Sequence, residues 1–233
     1  MSTKLIAEIG LNHFGKFNYL KNYLKILKGK DIQGISIQII NKKKVSKNLK
    51  RYYLNKQKIK QFFFLAKKYF KNVGVAIHSW DDFDFLKKLQ LDFIKILGSS
   101  FGDKNYLVNV KKTKVKKTFL STLNKTDLEI NKFLTKIKKN KITLIHTFIN
   151  TPNFEKEIKK ISKYKKKYKL RIAYGNHYKK INSINKVCKY NPSEIFFYVK
   201  FDKKKYPDDK HAIPLNKLNN LIRKIRYDDK IQF

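Results

Sequence analysis

Several things are scarce in this 233-residue chain, and each scarcity removes a class of protein. It has one cysteine, Cys188, so no internal disulfide can staple it. Cys188 falls in a helical pattern and reads as a buried thiol rather than a nucleophile. No apolar run approaches the roughly 18 residues needed to cross a bilayer, and the opening MSTKL lacks the basic-then-apolar order of a signal peptide. The expected location is the cytoplasm, with no membrane partner. No segment rich in Gly, Ser or Pro marks a linker, so one domain is expected over residues 1 to 233. Acidic residues are also few: 17 Asp and Glu stand against 56 Lys and Arg, a formal net charge of +39.

That charge alone would point to a phosphate-rich partner, because lysines that neutralise phosphates release counterions. Its make-up argues otherwise. The only arginines are Arg51, Arg171, Arg223 and Arg226, whereas nucleic-acid readers rely on the bidentate fork of Arg. Lysines are also spread through nearly every segment instead of gathering in one. A general lysine bias is therefore preferred over a nucleic-acid footprint, and a basic module binding nucleic acid or an acidic glycan stays open as the alternative.

What the chain does have is aromatic and β-branched runs alternating with amphipathic helical patterns. Strands are predicted at 5 to 11, 34 to 40, 74 to 80, 92 to 97, 117 to 122, 142 to 148, 170 to 175 and 194 to 201. Helices are predicted near 17 to 29, 56 to 71, 81 to 89, 105 to 112, 127 to 139, 154 to 168, 179 to 190 and 215 to 226. Thr126 with Glu129 forms a capping box, Asn153 precedes Glu155 and Glu157, and Ser79 precedes Asp81 and Asp82, which marks three helix starts. Strands this apolar are covered on both faces, as parallel strands are, and eight strand-helix units predict an α/β fold, a closed (β/α)8 barrel of TIM type. An open, doubly wound sheet is the alternative.

In such barrels the chemistry sits at the C-terminal ends of the strands and in the loops that follow. His13, His78, His146 and His177 all fall at or near those ends, and His211 lies in the loop after the last strand. With them come Glu8, Asn12, Gln38, Lys95, Ser99, Ser121 and Asn176, and also Thr122, Thr147, Asn150, Lys200 and Asp202. A single histidine at a strand end is most often a hydrogen-bonded structural group; four at one rim point to a site. Lys95, in the middle of DFIKIL, either lies inside the barrel paired or binding an anion, or faces a helix and snorkels.

The order of these motifs resembles the catalytic barrel of the sialic acid synthase family. The matching segments are IAEIGLNHFG, GISIQ, FIKILGSS, FLST, LIHTFINTP, AYGNH and DKHAIPLNKL, collinear from about residue 5 to residue 226. The resemblance implies a transferase of carbohydrate biosynthesis that condenses phosphoenolpyruvate with an N-acetylated hexosamine, giving N-acetylneuraminate or a related nonulosonate. It places Glu8 and Lys95 in catalysis, with Asn12, His13, Gln38, His78, Ser99, Ser121, His146 and Asn176 on substrate. Within that set Lys95, Ser121 and Gln38 fall to phosphoenolpyruvate, and Glu8 and Asn12 to the reacting carbons. His177 falls to a divalent metal, Mn or Mg, and a homodimer is implied.

The departures lie in the same motifs. A family lysine is Ser36 here, and the family's second metal histidine falls at Val199 or Lys200. Two residues that hold substrate fall at Ile149 and Thr151, the aspartate before the late histidine is Lys210, and a Ser-Asp pair becomes Gly175 and Asn176. Against the family pattern, the chain as read to Phe233 is expected to lack the small C-terminal antifreeze-like domain whose arginine completes the partner's site in the family. Metal binding is therefore expected to be weak. An active carboligase and a non-catalytic homologue both remain open.

Overall fold

A computed structural model describes residues 3 to 77, 83 to 101, 108, 109, 112, 114 to 136, 141 to 180, 183 to 201 and 205 to 231. The strands are β1 Lys4–Gly10, β2 Gly34–Ile39, β3 Asn72–Ile77, β4 Phe93–Ile96, β5 Lys117–Ser121, β6 Ile142–Ile149, β7 Arg171–His177 and β8 Glu194–Lys200. Each pairs in parallel with the next, and β1 also pairs with β8, which closes the barrel. Around it lie α1 Phe17–Leu27, α2 Lys47–Lys50, α3 Lys56–Lys67, α4 Phe83–Lys87, α5 Asp127–Leu134, α6 Phe154–Tyr168, α7 Ser183–Cys188 and α8 Leu215–Ile231. The predicted barrel is the observed one. Every predicted strand is present, with ends moved by a few residues. The helix predicted at 105 to 112 and the start proposed at Ser79 fall mostly or wholly outside the described residues.

Two short elements carry no clear sequence signal: α2, and a two-residue strand β9, Ile213–Pro214, that pairs with Val199 and Lys200 of β8. The capping box of α5 is present in full, with Glu129 N donating to Thr126 Oγ1 and Thr126 N donating to Glu129. At α6 the Asn153 side chain makes no capping bond, whereas Asn55 accepts from Lys58 N at the start of α3.

Alternation along the strands separates two cores. Leu5, Ile35, Val75, Ile94, Leu144, Ile172 and Ile195 point outward and pack with the helices in one large cluster. Ile6, Phe93, Phe119, Ile145, Ala173 and Phe196 point inward and form a small separate cluster. Three of its rings meet edge to face, Phe93 with Phe119 at 5.4 Å, Phe119 with Phe196 at 4.8 Å and Phe93 with Phe196 at 6.0 Å between centroids. This aromatic plug fills the barrel's middle. Two residues further along β1, β4, β5, β6 and β8, the inward positions turn polar as Glu8, Lys95, Ser121, Thr147 and Tyr198.

Candidate functional site

Above the plug, a cavity of about 470 Å³ opens at the C-terminal ends of the strands. Gln38, Lys95, Ser99, Ser121 and His177 line it, together with Leu97, Gly98, Leu123, Asn124, Lys125, Tyr198 and Asp208. A volume in this range suits a small organic molecule. Five residues named from the sequence thus meet around one space.

At its base, Lys95 Nζ donates to both oxygens of Glu8, at 2.7 and 2.5 Å, and both side chains are 2% exposed. The Lys95 ammonium also sits 5.3 Å from the Phe196 ring centre and 5.5 Å from that of Tyr198. Of the two readings of Lys95, the inward, paired one holds. The pairing is what makes burial tolerable, since either charge alone would be costly there.

One wall is built by the loop between β8 and β9. Asp208 Oδ2 accepts from Leu11 N at 3.4 Å, and Asp208 N donates to Asn12 Oδ1 at 3.3 Å. Burial, reinforced by the Glu8 charge, pushes the Asp208 carboxyl up to about 7, against the opposing Leu11 N–H and Lys95. Tyr198, buried beside Glu8 and Asp208, is held well above the usual phenol range. His211 stacks on His177 with centroids 4.4 Å apart and a 30° tilt, and Tyr198 meets both rings edge-on. Burial, then Lys95, lowers both imidazoles, His211 to about 4. Both rings are neutral near pH 7.

Gly10, at the end of β1, makes this wall possible. Its φ is +57°, and a Cβ there would lie 2.5 Å from Tyr198 Cε1 and 2.7 Å from Asp208 Oδ2. Only a residue without a side chain lets the β1 turn approach so closely.

Other named residues stand elsewhere. His146 is one position out of phase with inward Ile145: its Nε2 donates to the Glu157 carbonyl of α6 at 2.9 Å, and its ring packs on Tyr164. The expectation that it reaches the mouth is corrected, because inward parity on β6 belongs to Thr143, Ile145 and Thr147. Asn176 likewise faces outward on β7, accepting from Tyr174 OH at 3.2 Å. Asn12 is a strut, donating to the Val199 carbonyl at 2.8 Å as well as accepting from Asp208. His13 is fully buried beneath the turn and accepts from Gly15 N through Nδ1 at 3.0 Å. His78 and Asp202 lie outside the described residues. Tyr198, Asp208 and Lys125 went unassigned, although the inward parity of Tyr198 with Phe196 was readable.

A divalent metal was the cofactor expected here. Among the described residues no three His, Cys, Asp or Glu side chains converge as a ligand set. Lys200, where the second metal histidine was sought, has inward parity and gives its ammonium to Asp209 Oδ1 at 2.6 Å. Two ammonium groups, Lys95 and Lys200, act on His211. This donor set does not fit a tight divalent site.

The model of the NeuB family matches residues 14–232. The N-acetylneuraminic acid (sialic acid) synthetase of Leptospira borgpetersenii serovar Hardjo-bovis, solved with citrate, superposes with a TM-score of 0.90 at 19% identity, over 100% of this chain and 85% of that one. The spore coat polysaccharide biosynthesis protein SpsE of Bacillus subtilis gives 0.86 at 14% identity, over 99% of this chain and 69% of that one. A truncated 3-deoxy-D-arabino-heptulosonate 7-phosphate synthase of Thermotoga maritima gives 0.73 at 13% identity, over 99% and 88%. No curated protein matches the chain by sequence. At these identities the superpositions speak for the fold.

Proposed function

We infer function from one premise: the chain belongs to the NeuB family. On that premise, we propose a phosphoenolpyruvate-dependent carboligase that acts on an N-acetylated hexosamine. The observation that supports it best is the cavity in which Lys95, Ser121, Ser99 and Gln38 meet above Glu8. Phosphoenolpyruvate carries a carboxylate and a phosphate, and ammonium, hydroxyl and amide donors suit both. In the overall reaction the enol carbon bonds to the sugar aldehyde carbon, water adds at the phosphate-bearing carbon, and phosphate leaves to give a 2-keto acid.

The residues divide this work by placement. Lys95 binds an anionic end of phosphoenolpyruvate. Glu8, released as Lys95 turns to the substrate, stands beside the reacting carbons as a base for the incoming water. Asp208, whose carboxyl burial raises to about 7, is partly protonated at neutral pH and can supply the proton that the aldehyde oxygen gains. No step is assigned to a metal, since the donor set does not suit one.

Calorimetry tests the reading. Phosphoenolpyruvate should bind with a dissociation constant on the order of micromolar to millimolar, and Lys95→Ala should abolish it. Manganese or magnesium alone should bind weakly. Unaltered binding by Lys95→Ala would refute the site, and tight binding of metal alone would reveal a ligand set not seen here. A non-catalytic homologue is the second reading. It is favoured by Lys200, committed to Asp209 where the family's metal histidine was sought.

A further inference from the structure

Phosphoenolpyruvate brings up to three negative charges, and Lys95 is already neutralised by Glu8. Among the described residues lining the cavity, one other ammonium is present, Lys125. We propose that Lys125 is the cation for the phosphate end of the substrate, while Lys95 holds the carboxylate end. This rests on the function proposed above and names a division within that site.

Two loops build the corner where Lys125 stands. The turn after β4, Gly98–Ser100, carries Ser99, and the turn after β5 runs from Ser121 to Lys125. Gly98 lets them touch, because a Cβ there would lie 2.7 Å from the Leu123 carbonyl oxygen. Asn124 takes a left-handed φ of +58°, and Lys125 N donates to the Thr122 carbonyl at 3.0 Å, so the turn bends back over the cavity. The corner thus presents two hydroxyls and an ammonium to one space. A phosphate, with three oxygens to satisfy, uses such a set more fully than a planar carboxylate.

Lys125 is held in a way that leaves it available. Its Nζ lies 3.2 Å from Glu129 Oε1, in an i,i+4 pair on a 44% exposed carboxylate, an arrangement that gives up its partner at little cost. Glu129 has other work, since its second oxygen accepts from Thr126 N at 2.8 Å and Thr126 Oγ1 at 2.9 Å. The Lys125 ammonium sits over the Phe101 ring, 5.5 Å from its centre, and its side chain is 19% exposed against 2% for Lys95, so it is the shallower of the two. Lys95 differs on each count, being buried, doubly bonded and deep. The shallow cation therefore suits the dianionic leaving group, which must depart, and the deep one suits the carboxylate, which stays.

The test titrates wild type, Lys125→Ala, Lys125→Arg and Lys159→Ala with inorganic phosphate, phosphoenolpyruvate and pyruvate at one low ionic strength. Lys125→Ala should weaken phosphate and phosphoenolpyruvate about tenfold and leave pyruvate within about twofold, with Lys125→Arg recovering most of the loss. Lys159 is an exposed residue of α6 and controls for net charge alone. Unchanged phosphate affinity in Lys125→Ala, an equal loss for pyruvate, or an equal effect of Lys159→Ala would overturn the assignment while wild-type binding still supports the site. Wild type binding neither phosphate nor phosphoenolpyruvate would overturn the site itself and this assignment with it. Thermal melts of each variant show whether an affinity change comes from the fold.

Discussion

Glu8 and Lys95 lie 87 residues apart in sequence, and at the base of the cavity Glu8 accepts two hydrogen bonds from the Lys95 ammonium. Their pairing means that an incoming anion competes with Glu8 for the same ammonium. Glu8→Gln removes that competitor, so phosphoenolpyruvate should bind about tenfold more tightly, roughly 1.4 kcal/mol, while turnover is lost. Calorimetry and a rate assay on one preparation would show that split; weaker binding would mean that Glu8 supports the anion instead. Lys95→Met should cost about 3 to 5 kcal/mol of stability, because Glu8 is left buried without its partner, and Glu8→Gln in the same chain should restore much of it. Chemical denaturation of the three variants measures this. The sequence showed that an interior lysine needs a partner, but long-range pairing is a property of closure, and Asp208 with Leu11 N, 197 residues apart, was equally hidden.

Individual elements were legible where the signal is local. Thr126 and Glu129 declare the start of α5, and Thr126→Ala should cost about 1 kcal/mol, read from the shift in the denaturation midpoint. Side-chain direction was less legible. On β6 both faces are buried as far as Phe148 and each mixes apolar with polar residues, so nothing in ITLIHTFI says whether Ile145 or His146 points inward. Nearness to a strand end therefore groups His146 and Asn176 with Lys95, Ser121 and His177. Only the inward register, set by the aromatic plug, separates the two groups. Gly10 shows how tightly the elements are matched. Gly10→Ala should displace Tyr198 and Asp208 and lower phosphoenolpyruvate affinity, whereas Thr126→Ala should leave it unchanged. Equal effects of the two substitutions on affinity would mean that the β1 turn does not shape the cavity.

For the whole molecule, eight alternations of strand and helix were enough to give the closed barrel, because each unit's apolar strand and amphipathic helix can be buried in few other ways. The substitutions concentrated in the later half of the chain were also visible, though not their consequences, such as the Lys200–Asp209 pair. Buried ionisable groups set the pH response. His13, His146 and His211 are each lowered to about 4 by burial, so their contribution is complete above about 6.5 and is lost as pH falls toward 4. Asp208 acts in the opposite sense, since its carboxyl is raised to about 7: its contribution is present at low pH and lost as pH rises through 7. His177, lowered by burial as well, acts in the same sense as these three, and four groups outweigh one, so the melting temperature should fall between pH 6.5 and pH 4, and Asp208→Asn should flatten the slope near pH 7. The most direct test of the account follows phosphate release from phosphoenolpyruvate with a panel of N-acetylated hexosamines, for wild type and Glu8→Gln. Release that depends on one of the sugars and disappears in Glu8→Gln is the predicted result. No sugar-dependent release, with phosphoenolpyruvate still bound, would contradict the carboligase and leave a non-catalytic homologue. Neither binding nor release, with salt-sensitive attachment to RNA, would contradict both and point to a basic binding module.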